Sequence, residues 1–327
     1  MKITLPVLFI LATLTACGLL GSNGENDRPD IPGKIVFAAE DAGGNSQIYR
    51  MNANGSGLRQ LTHLEDGHEA YEPAWSPDGS QIVFSTSLRA SSNGLSLYLM
   101  DADGGNMRPL HERENSHIPT PGSFPRWSPD GSKIAWHQCV NCQLGTNYEL
   151  FTYDVATDSV TRLTDNRTSE THPAWSPDGS RIAFVSDRDY VDADTLRFRQ
   201  DLYLIDADGS NLERLTETGY ARNPIWNPHG NAIIFRSSDP ETNLGLFRVA
   251  LQSKKISRIE NNLSGNNQLF PQSWSADGKF LLATGRDQSA PQKFFLYIID
   301  TLNNKAIQLP FGPTKISGAD WFIPADN

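Results

Sequence analysis

The sequence predicts an all-β chain folded as a six-bladed β-propeller, four antiparallel strands per blade, closed by pairing the C-terminal strand with the N-terminal three. Three observations predict it. A tryptophan-led turn motif recurs along the chain, a short apolar run follows each copy, and the two ends of the array are complementary parts of one unit. Trp75-Ser76-Pro77-Asp78-Gly79-Ser80 returns as Trp127-Ser128-Pro129-Asp130-Gly131-Ser132 and as Trp175-Ser176-Pro177-Asp178-Gly179-Ser180. Looser copies open at Trp226 and Trp274, and a last, truncated copy opens at Trp321. These tryptophans stand 52, 48, 51, 48 and 47 residues apart, and six of the seven in the chain share this register. A fixed period of this length marks repeated supersecondary units.

The elements of each repeat follow in order. The turn comes first: Pro presets φ for the first central position, Asp suits the second, and Gly accepts the left-handed conformation that follows. Next come Ile82-Val83-Phe84, Ile134-Ala135-Trp136, Ile182-Ala183-Phe184, Ile233-Ile234-Phe235 and Phe280-Leu281-Leu282. Apolar residues on consecutive positions, without alternation, mean a strand buried on both faces. A third strand is expected at Gln47–Met51, Leu97–Asp101, Leu150–Asp154, Leu202–Asp206, Leu246–Val249 and Leu296–Asp300. Polar turns such as Asp101-Ala102-Asp103-Gly104 lead to a fourth, amphipathic strand, for example Leu58–Thr62 or Leu212–Thr216. Four such strands describe one propeller blade. Gly33-Lys34-Ile35-Val36-Phe37 reads as the second half of a repeat whose first half is at Trp321, so residues 33–62 and the last strand should complete one blade, tie the termini together and remove an exposed sheet edge.

Ahead of the repeats, Met1–Cys17 carries one cation, Lys2, then the apolar stretch Ile3–Leu14 and small residues up to a cysteine. This is the layout of a secretory signal, too short for a stable membrane span. Leu14-Thr15-Ala16-Cys17 resembles the bacterial lipoprotein signal, which implies cleavage after residue 16 and lipidation of Cys17. Gly18 follows where an Asp would retain the protein at the inner membrane, so the expected location is the cell envelope, on the outer membrane facing the periplasm in a Gram-negative cell. Residues 17–32, rich in Gly, Ser, Asn and Asp, read as a lipidated tether. The propeller is assigned to residues 33–323.

Composition narrows the function. The 327 residues carry 28 Lys and Arg against 38 Asp and Glu, a formal charge of −10. Such a surface repels phosphate backbones, so no nucleic-acid partner is expected. With 38% hydrophobic residues the chain can bury a core, which excludes wholesale disorder.

The W-S-P-D-G turn, the I-x-F strand and the Y-x-M-D-A-D-G segment resemble the repeats of TolB-like propellers, relatives of the WD-type repeat. The resemblance covers residues 33–323, in a lipoprotein form without the α/β domain that precedes the propeller in TolB. It implies a six-bladed scaffold and an envelope protein as partner, a peptidoglycan-associated protein being the candidate. A monomer is expected.

Strand direction alternates within a blade, so the W-S-P-D-G and D-A-D-G turns share one face. The variable loops share the other: 63–72, 111–124, 165–172, 217–223, 260–270 and 310–318 between blades, and 186–200 within blade three. Recognition usually resides on variable loops held by a rigid scaffold. Residues just before the innermost strands should ring the channel there: Tyr71, Glu72, Phe124, Thr171, His172, Arg222, Asn223, Phe270 and Gly318. The fifth repeat carries one extra residue before its tryptophan, which makes the register of Phe270 ambiguous.

Other motifs read as structural. Cys139-Val140-Asn141-Cys142, in an exported protein, is expected to be a small disulfide between Cys139 and Cys142. The acid-rich Ser186–Asp194 lacks the central Gly and terminal Glu of a calcium loop. No cofactor or metal site is expected, and no catalytic motif is present. The function expected is that of an envelope lipoprotein acting as a protein-interaction scaffold through its variable-loop face. The alternatives are a glycan or peptide ligand at the central channel, or a hydrolase or lyase there using His172 and Glu72.

Overall fold

The repeat makes each blade, and the computed structural model shows how the blades close. It describes residues 31–65, 67–91, 94–111, 121–140, 147–190, 199–238, 244–263, 268–287, 290–309 and 315–323. There are six antiparallel sheets of four strands. Blades one to five each use consecutive strands. Their innermost strands are Ala70–Trp75, Ser123–Trp127, Glu170–Trp175, Ala221–Trp226 and Gln268–Trp274. Blade six places Ile316–Phe322 innermost, beside Lys34–Glu40, Ser46–Asn52 and Arg59–Gln60. Ile35 pairs with Trp321 and Lys34 with Phe322. The ring is therefore sealed by one late strand and three early ones, as the complementary repeat fragments require. Each innermost strand touches the innermost strands of both neighbouring blades.

The second strands are buried on both faces: Ile82, Val83 and Phe84 are all fully buried, and so are Ile35, Val36 and Phe37. The core is consequently divided between blades. Trp175, for example, lies among Ala135 and Leu150 of blade two and Ile182, Phe184 and Tyr203 of blade three.

The outermost strands are shorter than the sequence suggests. Arg59–Gln60, Arg108–Pro109 and Glu213–Arg214 hold two residues each. For the first and last of these the reason lies in the Leu-Thr pair that follows. Leu61 N–H donates to Ile48 O at 2.7 Å, and Thr62 Oγ1 accepts Ile48 N–H at 2.8 Å. The threonine side chain thus takes the place of a ladder partner and turns the strand inward. Thr164 on Leu150 and Thr216 on Leu202 repeat the device.

The tryptophan-led turns are fastened by their own side chains. Ser176 Oγ donates to Asp178 Oδ1 at 2.6 Å, Ser180 N–H donates to the same oxygen at 3.0 Å, and Arg181 N–H donates to Ser176 Oγ at 2.9 Å. Blades one, two and five repeat the serine–aspartate bond. Gly79 is indispensable in its turn, because its φ is +68° and a Cβ there would collide with the Phe322 ring of the closing blade.

Hydrogen bonding from Ser176 and Ser180 holds the Asp178 carboxyl down to about 2. Its stabilising contribution is complete above the ordinary aspartate range and disappears as pH falls to the folded value. Melting temperature should therefore drop between about pH 4 and pH 2. Asp178→Asn should lower the melting temperature at pH 7 and shrink the gap from wild type at pH 2; an unchanged gap across that interval would show that the turn gains nothing from the ionised carboxylate.

Candidate functional site

On the loop face the innermost strands surround a cavity of about 520 Å³. Every blade contributes: Glu72 from blade one, Phe124 and Arg126 from two, His172 and Pro173 from three, Arg222 to Ile225 from four, Phe270 to Gln272 from five, and Ile316 to Gly318 from six. Arg236, Thr284 and Phe294, from second and third strands, complete the wall.

A local backbone device aims these side chains inward. Four innermost strands slip register two residues ahead of the tryptophan, between Tyr71 and Ala74, Ser123 and Arg126, Thr171 and Ala174, and Arg222 and Ile225. The residue at each bulge is left-handed: Glu72, Phe124, His172 and Asn223 have φ of 53°, 55°, 56° and 51°. Only glycine takes that conformation without cost, and Gly318 fills the equivalent place in blade six with φ 90°. A Cβ on Gly318 would lie 2.8 Å from Glu72 Cα. Strain of this kind, repeated around one opening, is held by the surrounding sheets and marks a place where side-chain direction matters.

Blade five departs from the pattern. Its extra residue lets Phe270 pair normally with Thr284, and the slip moves to lie between Pro271 and Ser273. Phe270 still lines the cavity, and Gln272 occupies the bulge, its Nε2 donating to Thr284 Oγ1 at 3.2 Å. Glu72, Phe124, His172, Arg222, Asn223 and Gly318 all line the cavity as well. Tyr71 and Thr171 are not among the lining residues; the Tyr71 hydroxyl turns away to donate to Glu69.

Several cavity residues have no place in the sequence-based set: Arg126, Arg236, Gln272, Thr284, and Asp320 beside them. Two positional signals point to them. The residue before the tryptophan is Ala74, Ala174, Ile225 or Ser273 in four repeats, but Arg126 and Asp320 in the other two. The residue one past the second-strand aromatic position is Ser85, His137, Arg236 and Thr284 in blades one, two, four and five. Three of these reach the bulge of the adjoining inner strand or blade: Ser85 to Glu72, His137 to the His172 backbone, and Thr284 to Gln272.

The charges separate into two groups. On one side burial opposes the charge on Arg126, and the carboxylates of Asp320 and Glu72 favour it. Glu72 Oε2 accepts Phe124 N–H at 2.8 Å and Ser85 O–H at 3.2 Å, tying blade one to blade two. Burial nevertheless raises its pKa above the usual carboxylate range. Asp320 accepts Trp75 N–H at 2.8 Å and Trp321 N–H at 2.9 Å, tying blade six to blade one, and burial raises it too. On the other side stand Arg222 and Arg236, with Arg286 close by.

His172 lies against Phe124, ring centroids 4.1 Å apart, and 5.6 Å from the His137 ring. Burial, then Arg126 and Arg222, hold the His172 imidazole down to about 3; burial also holds His137 well below its ordinary value. Both rings are neutral at neutral pH. As a proton-transfer pair His172 and Glu72 are poorly matched, since a general acid or base works best with a pKa near the operating pH. The Glu72 oxygen is also committed to Phe124 and Ser85.

The CxxC region is partly visible. Cys139 is buried and disulfide-bonded. Cys142 lies outside the described residues, as does Cys17. In the acid-rich segment, Asp187 accepts Ser169 N–H at 2.8 Å, and Asp189 accepts the Tyr203 hydroxyl at 2.7 Å and pairs with Arg214. Asp192 and Asp194 lie outside the described residues. No group of three or more metal-ligating side chains occurs among the described residues.

Comparison with known proteins agrees with this architecture. A family model for the dipeptidyl peptidase IV (DPP IV) N-terminal region matches residues 128–219. The Tol-Pal system protein TolB of Rhizorhabdus wittichii is 36% identical over 89 residues, which is 27% of this chain and 18% of that protein. The crystal structure of TolB from Acinetobacter baumannii superposes with a TM-score of 0.68 at 18% identity, over 88% of this chain and 66% of that one. An oligogalacturonate lyase from Vibrio parahaemolyticus superposes with a TM-score of 0.55 at 19% identity, over 85% of this chain and 74% of that one. The ring is thus a TolB-like six-bladed propeller in fold, and the chain spans 18% of the Rhizorhabdus wittichii TolB and 66% of the Acinetobacter baumannii TolB chain.

Proposed function

We propose that this chain is an exported envelope lipoprotein, anchored through Cys17, whose propeller recognises another envelope protein at the channel mouth on the variable-loop face. A single observation carries the reading: all six blades turn side chains into one open cavity, four of them through strained bulges. A scaffold that needed only closure would have no use for that repeated strain. The segmental identity to a Tol-Pal protein supports an envelope setting and a protein partner. The cavity volume, about 520 Å³, also lies within the range of small-molecule sites, which supports a ligand as the second reading. A hydrolase or lyase built on His172 and Glu72 is disfavoured by the neutral imidazole and the committed carboxylate described above.

The test is crosslinking in the native host. A photoreactive residue at Asn223, on the cavity wall, should give a discrete protein adduct; the same residue at Asp208, in a regular turn on the opposite face, should not. Equal yields from both positions, or none from Asn223, would reject the assigned face. In the same cells Cys17→Ser should move the protein from the membrane to the soluble fraction. Retention in the membrane fraction would reject the anchor.

A further inference from the structure

The cationic side of the cavity is not balanced by the acidic side. Arg236 is only 9% exposed and its Nε has no hydrogen-bond partner. Arg286 Nε is likewise buried without a partner. Arg236 lies over the Phe270 ring at 4.6 Å and Arg286 over the Phe294 ring at 5.1 Å. Burial opposes the charge on Arg236 most, and Arg222 and Arg286 oppose it further. Glu72 and Asp320 exert their attraction on Arg126 instead. A guanidinium does not shed its proton to escape burial. The aromatic contacts recover only a fraction of the desolvation penalty. A chain of net charge −10 therefore maintains a costly cluster of like cations at the mouth of its channel.

We propose that this side of the cavity is a carboxylate-binding subsite, in which Arg236, flanked by Arg222 and Arg286, receives the anionic group of a ligand whose apolar body rests on Phe270 and Phe294. This rests on the reading that the channel mouth is the recognition face. The planar guanidinium fork suits a carboxylate, which it holds through paired charge-assisted hydrogen bonds. A singly charged group on an apolar or aromatic body fits better than a dianion. The wall is rich in Phe and Pro, two carboxylates stand across the cavity, and no helix N-terminus opens on it among the described residues. The carboxylate can come from a free organic acid or from a protein partner, and the chemistry at Arg236 is the same for both.

The experiment uses the full chain, with phenylacetate as probe and phenylacetamide as its neutral match, read by calorimetric titration and thermal shift. Phenylacetate should bind and raise the melting temperature, and phenylacetamide should not. Arg236→Met should melt at or above the wild-type temperature without ligand, because it removes a buried, repelled charge. It should lower phenylacetate affinity about 10- to 100-fold, the effect of losing hydrogen bonds to a charged group. Arg236→Lys, which keeps the charge but not the fork, should also lose affinity, and serves if the methionine variant does not fold. Equal binding of the amide, tighter binding of inorganic phosphate, or unchanged affinity in both variants would overturn the proposal. Excess phenylacetate added to the Asn223 crosslinking reaction identifies the source: a suppressed adduct means that the partner supplies the carboxylate, and a persistent adduct means a free acid. An Asn223 adduct without phenylacetate binding leaves the recognition face standing and removes the carboxylate subsite alone; phenylacetate binding without an adduct does the reverse.

Discussion

Trp175→Ala should cost about 3–5 kcal/mol of folding stability, as large-to-small changes of aromatic residues in cores do. Trp175 is 8% exposed and packs against Ala135 and Leu150 of blade two as well as Ile182, Phe184, Tyr203 and Ile205 of its own blade. Its removal opens a void between two sheets that are each paired internally, so neither can collapse into it without breaking its own ladder. The loss is compounded because Trp175 Nε1–H donates to Arg126 O at 3.1 Å, and that carbonyl belongs to the neighbouring inner strand. Trp226 makes the same bond to Ala174 O at 3.0 Å. Trp175→Phe separates the two contributions: it keeps most of the packing, gives up the bond, and should cost about 1 kcal/mol from the bond alone, plus the lost ring volume. Urea titration checks both, and a shift below about 1 kcal/mol for the alanine variant would contradict inter-blade packing.

The fold was legible because its determinants are local and repeated. Proline, aspartate and glycine specify the turn, and the indole that precedes it always lies at the end of an innermost strand. Spacing then counts the blades, and the partial repeats at Trp321 and Gly33 predict the pairing of Ile35 with Trp321. The outer strands were harder to read. Leu61 and Thr62 look like strand residues, yet the threonine hydroxyl replaces a backbone partner and ends the ladder. No periodicity distinguishes a side-chain acceptor from a backbone one.

The site was legible only along the innermost strands. Reading the residues just ahead of each tryptophan finds the bulge positions, because Glu72, Phe124, His172 and Asn223 occupy the same place in the repeat. It misses what lies across the bulge. Arg236 sits in a second strand after Phe235, inside an apolar run where a reader expects core. It pairs directly with Arg222, on the cavity side of the register slip between Arg222 and Ile225, so it comes in beside a residue of the inner strand that lines the cavity. Gln272 was missed for a related reason, since one inserted residue moves the bulge of blade five from Phe270 to Gln272. Tyr71 illustrates the opposite error: adjacent in sequence to a lining residue, it points elsewhere because neighbours in a strand face opposite sides.

The second large effect should come from the acid that closes the ring. Asp320→Ala is expected to cost about 2–4 kcal/mol, because it leaves two N–H groups at the blade junction without their acceptor, at about 1–3 kcal/mol each, and removes a carboxylate that favours the charge on Arg126. Burial holds the Asp320 carboxyl above the ordinary aspartate range, so the attraction of Arg126 and the hydrogen bonds it accepts do not fully repay its desolvation. The expected cost arises from what the substitution leaves behind. Arg126 keeps Glu72 as its remaining acid, and the N–H groups of Trp75 and Trp321 lose their acceptor at the junction between blades six and one. That junction is where two distant segments of chain must meet, so destabilising it should promote opening of the ring there first. Hydrogen exchange in Asp320→Ala should therefore accelerate in Lys34–Glu40 and Ile316–Phe322 before Glu170–Trp175. The double variant Arg126→Met with Asp320→Ala should cost less than the sum of the two single changes, because the charge orphaned by one is removed by the other. Additive costs, or uniform acceleration around the ring, would mean that Asp320 neither neutralises Arg126 nor fastens the closure.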